Sequence, residues 1–153
     1  MGKQPQIAEV IEVPPDNTGL TYAAFRVLRE GRSVMATRET FVSWVNGNQR
    51  PEGYRIVGAF LPGMSDAVAA AGFRKLHQLS KGPFLYVDDL VTLPEHRSSG
   101  YAGQIFAWIV GEARRLDCQQ LHLDSGHQRH DAHRFYLKQG MHMNAHHFSM
   151  LLD

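Results

Sequence analysis

The run Arg97-Ser98-Ser99-Gly100-Tyr101-Ala102 joins an apolar stretch to an amphipathic one, and its residue types suit the binding of an anion. Amides in the first turn of a helix have no partner within the helix, and the aligned peptide dipoles make that end positive. Small side chains let the chain close around a phosphate, and glycine at position 100 takes conformations that a side chain forbids. The run has neither the Lys-Ser/Thr ending of the triphosphate loop nor the three-glycine spacing of the dinucleotide turn. Taken alone, the hexad reads equally as a turn that caps a helix. Just upstream, Asp88 and Asp89 interrupt an otherwise apolar run, Phe84 to Leu93. Adjacent strand residues face opposite sides, so both carboxylates cannot reach water if both faces are covered. An enclosed carboxyl without a partner holds its proton more tightly, which moves it toward the range of a general base. An arginine partner or a local turn is the structural alternative.

Histidine is the unusual component. Of nine, seven (His122, His127, His130, His133, His142, His146, His147) fall in the last part of the chain. A metal site needs three or four converging ligands. His130 and His133 share a helix face, whereas the adjacent His146 and His147 would diverge on a strand, so no metal is expected. His133, His146 and His147 stand instead as alternative proton acceptors. The single cysteine, Cys118, cannot form an internal disulfide, reads as a packing residue and is compatible with a reducing compartment.

Period and punctuation supply the elements that must hold these residues. A strand is expected within Gln6–Val13, ended by Pro14-Pro15. Leu20–Arg29 reads as a helix closed by Gly31, and a second helix follows Thr37 as N-cap, with Glu39 in its first turn and Gly47 as its stop. Tyr54–Phe60 and Ala67–Phe73 form a hairpin about Leu-Pro-Gly-Met-Ser-Asp. Phe84–Leu93, near-continuously apolar, is expected as a strand buried on both faces. The helix after Gly100 turns Ala102, Ile105, Phe106, Ile109, Ala113 and Leu116 inward. Gln120–Asp124 is a short strand, Ala132–Gln139 a helix stopped by Gly140, and one or two strands are expected from Met141 to Leu152. This order predicts an α/β (α+β) fold, a mixed sheet with helices on both faces.

The 153 residues suit one domain, 1–153, with a proper core. An apolar fraction of 43% and a charged fraction of 20% are those of a soluble globular protein. The formal net charge of +1 argues neither for nor against a partner, but the basic residues are scattered among acids rather than gathered in a stripe, so no nucleic-acid partner is expected. No apolar run reaches membrane-spanning length, and Met-Gly-Lys-Gln-Pro-Gln resembles neither a signal peptide nor a myristoylation site, so a cytoplasmic location is expected.

Arg97-x-x-Gly100-x-Ala102 resembles the Gln/Arg-x-x-Gly-x-Gly/Ala motif of the GNAT acetyltransferases. The likeness extends upstream through Asp89-Leu90-Val91-Thr92 with Pro94 and Glu95. Downstream it runs through Leu121-His122-Leu123-Asp124 and Ala132-His133-Arg134-Phe135-Tyr136-Leu137-Lys138-Gln139-Gly140-Met141, which is similar to the family's Ala-x-x-Phe-Tyr-x-x-x-Gly-Phe signature. It covers roughly Gly53 to the C-terminus and, more weakly, the first two helices. The resemblance implies the GNAT fold, a mixed and mostly antiparallel sheet with a V-shaped splay and a bulge near Asp88-Asp89. It also implies acetyl-CoA as co-substrate and direct transfer of the acetyl group to an amine within a ternary complex. Arg97, Ser98, Ser99, Gly100, Tyr101, Ala102 and Gly103 would cradle the coenzyme pyrophosphate. Leu90, Val91 and Thr92 would line its pantetheine arm, the Leu90 and Val91 amides pairing with it. Tyr136 would stand beside the thioester sulfur as the acid, and Asp88 or Asp89 would be the base. Where many relatives carry an asparagine seven residues before the tyrosine, this chain has Arg129.

The resemblance leaves the acceptor open among small amines, amino acids, antibiotics and protein N-termini, and is compatible with a homodimer. A coenzyme-binding sensor or interaction module that has lost catalysis is the alternative of a different class. Tyr136 and the strand carboxylates argue against it. A histidine-rich metal-binding protein on the same fold is a third.

Overall fold

The computed structural model describes residues 6–153, so the leader reading at Met1–Pro5 lies outside them. Strand β1 (Glu9–Val13) is followed by a 3-10 segment, Pro15–Thr21, that runs into helix α1 (Tyr22–Leu28). Helix α2 (Arg38–Trp44) starts at Thr37, whose hydroxyl accepts from the Thr40 amide while the Thr40 hydroxyl accepts from the Thr37 amide. Glycine 47 does not end this helix. The chain widens into a π turn over Val45–Gln49, passes through a 3-10 turn at Arg50–Glu52, and stops only at Gly53, whose φ of 92° favours glycine.

Strands β2 (Arg55–Phe60), β3 (Ala69–Gln78) and β4 (Gly82–Thr92) form an antiparallel meander, with β1 antiparallel to β2. Helix α3 (Tyr101–Arg115) then leads to β5 (Gln120–Leu123), and the sheet order is β1-β2-β3-β4-β5. Helix α4 (His130–Lys138) comes last, with Gly140 at φ 89° beyond it. Met141–Leu152 forms none of the expected strands. Its Met143, Phe148, Met150, Leu151 and Leu152 are exposed. Alternating apolar residues express the capacity to form a ladder, but a strand exists only where a partner's amides and carbonyls meet it. The described chain divides into two compact units, one ending at His122 and one comprising Leu123–Asp153.

Register sorts the side chains of the first unit. Ile56 pairs with Gly72 and Gly58 with Ala70, so this face carries Ile56, Gly72, Ala70 and Val91. It packs with Val13, Ala24, Phe25, Met35, Phe41, Val45 and Tyr54 into one apolar cluster supplied by α1 and α2. The opposite face carries Arg55, Phe73 and Val87 and meets α3. There the Phe73 and Trp108 rings meet edge-on at 5.8 Å, and Ile105 and Ile109 are fully enclosed. Each α-helix layer thus covers one face of a largely antiparallel sheet.

One charged residue lies on the buried stripe of α3. Glu112, 8% exposed, accepts from Arg55 at 2.7 Å and from Arg115 at 2.8 and 2.5 Å. Arg115 hydrogen bonding, aided by Arg55 and opposed by burial, brings its carboxyl down to about 2. The ion pair with Arg55 fastens α3 to β2.

Candidate active site

The expectation that Asp88 and Asp89 point to opposite faces fails at a bulge. Val87 pairs with Phe73 and Asp89 with Gly72, leaving Asp88 as the extra residue of β4. Arg74 and Gly72, two steps apart on β3, lie on the same face. The Asp88 carboxylate accepts from Arg74 at 3.0 and 2.7 Å, so both acids turn toward the α1 side.

Asp89 lies in a second, separate clasp. Its Oδ1 accepts from Arg29 Nε at 3.0 Å and Nη2 at 2.7 Å, and its Oδ2 accepts from the Tyr54 hydroxyl at 2.9 Å. Arg29 Nη2 also donates to the Asp88 carbonyl at 3.4 Å. Tyr54 is 4% exposed and reaches the acid by lying across Gly72: a β-carbon there would fall 1.7 Å from the phenol oxygen. Burial, reinforced by Asp89, holds the Tyr54 hydroxyl well above its ordinary value, so it remains a donor. Asp88 is raised above the usual aspartate value. Burial is the main cause and Asp89 adds to it, while Arg74 and Arg29 oppose.

Beyond the bulge, Leu90, Val91 and Thr92 pair with Ala71, Ala70 and Ala69. On the other edge of β4, the Gln119 amide donates to the Pro83 carbonyl at 3.0 Å, and the His122 ring meets Phe84 edge-on at 5.3 Å. The four-residue β5 therefore runs beside the first part of the eleven-residue β4 and is too short to flank Leu90–Thr92.

The chain leaves β4 through Pro94–His96 and turns at Arg97–Gly100 into α3. Ser98 has φ 61° and Gly100 φ 84°, both left-handed, and a β-carbon at Gly100 or Gly103 would meet no atom within 4 Å. The first intrahelical bond at this end is from Gln104 to the Gly100 carbonyl at 3.1 Å, so the Tyr101, Ala102 and Gly103 amides precede the helical ladder. Tyr101 is buried and its ring lies 6.3 Å from that of His96. Arg97, Ser98 and Gly100 are exposed, and Ser99 and Ala102 are half-buried. The arrangement offers main-chain donors, a helix dipole and room for an anion.

Tyr136 belongs to the second unit, on α4. Burial raises its hydroxyl above the ordinary value, and the charge of Arg129 opposes this. His133 shares a hydrogen bond of 2.8 Å with the Gly126 carbonyl, and His147 lies 3.6 Å from Asp124. His146 is exposed. Among the described residues, no three His, Cys, Asp or Glu side chains converge as metal ligands, and no helix is long and apolar enough to cross a membrane. The half-buried Cys118 has its thiol pushed up by burial.

Sequence reasoning missed Arg29, Tyr54 and Arg74. Arg74 was findable from the hairpin register. Arg29 and Tyr54 come from other elements, and nothing local in the sequence joins them to Asp89.

The α1–α2 connection carries two cavities that share Ser33. One of about 460 Å³ is lined by Val34, Glu39, Thr40, Ser43, Trp44 and Asn48. The other, of about 290 Å³, includes Arg26, Glu30, Gly31 and Arg32 in its wall.

Comparison with known proteins bears on this arrangement. An aminoalkylphosphonate N-acetyltransferase of Salmonella typhimurium is 39% identical over 54 residues, 35% of this chain and 35% of that protein. An uncharacterized N-acetyltransferase, YhdJ, of Bacillus subtilis is 41% identical over 58 residues, 38% of this chain and 41% of that protein. The chain thus matches well under half the length of these relatives. Among solved structures, an aminoglycoside N-acetyltransferase in complex with CoA superposes with a TM-score of 0.81 at 12% identity, over 99% of both chains. Residues 21–141 match the model of the acetyltransferase (GNAT) family, a span from the threshold of α1 past the end of α4, and the chain belongs to that family.

Proposed function

We propose that the chain is an acetyl-CoA-dependent N-acetyltransferase, its two units working as a single domain in the cytoplasm. The observation that carries this reading is the succession, within one stretch of chain, of a carboxylate-bearing bulge and a helix N-terminus whose first three amides precede the helical ladder. Bound acetyl-CoA supplies an acyl group activated as a thioester. The residues fit it: main-chain donors from Arg97 to Gly103 suit a pyrophosphate, and the edge of Leu90–Thr92 beyond the reach of β5 suits an amide-bearing arm. No metal enters the reading.

Asp88 is the better base of the two acids. Asp89 already accepts two donors from Arg29 and one from Tyr54, whereas among the described residues the Asp88 carboxylate is held by Arg74 and is kept more basic by burial. A base slightly weaker in acidity than ordinary aspartate takes a proton from the acceptor ammonium more readily, directly or through water. Tyr136 donates its hydroxyl proton or hydrogen bond to the leaving thiolate. Burial keeps that hydroxyl protonated at neutral pH.

The acceptor is an amine that also carries an anionic group. Arg26 and Arg32 line one cavity, and Arg29, between them in sequence, reaches the bulge. The partial similarity to the Salmonella typhimurium aminoalkylphosphonate N-acetyltransferase supports the same class. A screen following free-thiol release from acetyl-CoA should favour aminoalkylphosphonates over aminoglycosides and peptide N-termini. Measurable coenzyme A binding with no turnover on any amine would replace this reading with that of a coenzyme-binding module. Tyr136→Phe should keep coenzyme affinity while turnover falls about ten- to several-hundred-fold. Unchanged turnover with chemistry rate-limiting would return Tyr136 to a packing role.

A further inference from the structure

We infer that Arg29 is a positioning residue for acyl transfer, its guanidinium spanning the β4 bulge so that the Asp88 main chain and the Asp89 side chain are held as one body. The inference rests on the proposed role of Asp88 as base. A bulge is the weakest point of a ladder, because the extra residue has no opposite number and its strand bends there. Asp88 is that residue, with Gly72 and Phe73 opposite its neighbours. Arg74 holds its carboxylate, but its backbone, out of step with the ladder, needs a separate hold.

Arg29 meets that need from outside the sheet. It follows α1 directly, its amide bonded to the Phe25 carbonyl at 3.0 Å, and Phe25 is locked in the core at 3% exposed. From this anchor Nε and Nη2 grip Asp89 Oδ1, and Nη2 extends to the Asp88 carbonyl at 3.4 Å. A planar guanidinium can make these contacts together, which a lysine ammonium on a flexible stem cannot reproduce. Tyr54 completes the hold on the far oxygen of Asp89. With its side chain half exposed, Arg29 contributes little to the core itself.

Charge gives the clasp a second effect. The groups acting on the Asp88 carboxylate are Arg74 from β3, Asp89 from β4 itself and Arg29 from beyond α1, with Tyr54 close to Asp89. Arg29 favours the ionised form and Asp89 disfavours it. Removing the first must therefore raise the Asp88 midpoint, and removing the second must lower it.

The test is a carboxyl-carbon NMR titration of the protein labelled at aspartate, alongside the pH dependence of kcat/KM with acetyl-CoA and the best amine of the screen. Arg29→Gln should raise the Asp88 midpoint by about half a pH unit to one unit, and the acidic limb of kcat/KM should move with it. Asp89→Asn should move both downward. Arg29→Lys should keep the wild-type midpoint yet recover only part of kcat, since the charge returns without the bridge. An unmoved Asp88 midpoint in a folded Arg29→Gln protein overturns the inference, as does full recovery of kcat by lysine. A midpoint that moves while the kinetic limb stays would instead overturn Asp88 as the base, leaving the grip of Arg29 on the bulge intact. Should Arg29→Gln fail to fold, the lysine variant still separates charge from bridging.

Discussion

The bulge and the phosphate loop are neighbours in sequence and opposites in construction. At the bulge the backbone departs from its ladder, and side chains from three other segments, Arg29, Tyr54 and Arg74, compensate. From Arg97 to Gly100 the side chains are small or exposed, and the donors on offer to the proposed ligand are the main-chain amides of the first turn of α3. The contrast shows what each can tolerate. On the proposed reading, the loop should depend on backbone conformation more than on most of its side chains, whereas the bulge should depend on the charged side chains that grip Asp88 and Asp89.

The largest effect should come from the bulge. Asp88→Asn preserves size and removes the proton acceptor, so turnover should fall about 100-fold or more. The sign of the pH dependence follows from the raised carboxyl. In the wild type, kcat/KM should fall as acid protonates Asp88, with a midpoint above the ordinary aspartate value of about 3.9. The Asn variant should lose that limb, and coenzyme affinity, measured by calorimetry, should stay within about threefold. If instead the limb persists there and vanishes in a His133→Gln, His146→Gln or His147→Gln variant, the base belongs to a histidine.

Next in size is the loop. Gly100→Val places a β-branched residue at φ 84°, where it is strained whatever the space around it. Acetyl-CoA affinity should drop by roughly 100-fold in a protein that still folds. Ser98→Ala, the matched control, should change affinity less than about threefold, because the donors are main-chain. Wild-type affinity in a folded Gly100→Val, or a large loss in Ser98→Ala, would erase the contrast between the two regions.

How far these regions were legible in the sequence differs for the same reasons. The loop was legible because its cause is local: a glycine and small residues between an apolar strand and a 3.6-period stripe. The bulge was expected only through the family resemblance and not from the local pattern, because inserting one residue leaves hydrophobic alternation nearly intact, while the partners that stabilise it, Arg29, Tyr54 and Arg74, come from other segments. Glu112 was missed on α3 because a charge at an inward position looks like an error until Arg55, on another strand, is placed against it. Gly47 misled as a stop: glycine permits a left-handed turn without requiring one, and the helix continued as a π turn. The periodicity of Met141–Leu152 spoke only to half of what a strand needs.

The nesting of Tyr54 over Gly72 has a consequence for anyone redesigning the protein. A phenol oxygen stands where a β-carbon at position 72 would project, so the two positions, far apart in sequence, behave as one compound letter. Any residue other than glycine at 72 demands a smaller one at 54, and that exchange also removes the hydroxyl that holds Asp89. A combinatorial library that varies the two sites independently would consist mostly of broken pairs, and a recombination crossover placed between β2 and β3 would inherit one half of the fit from each parent.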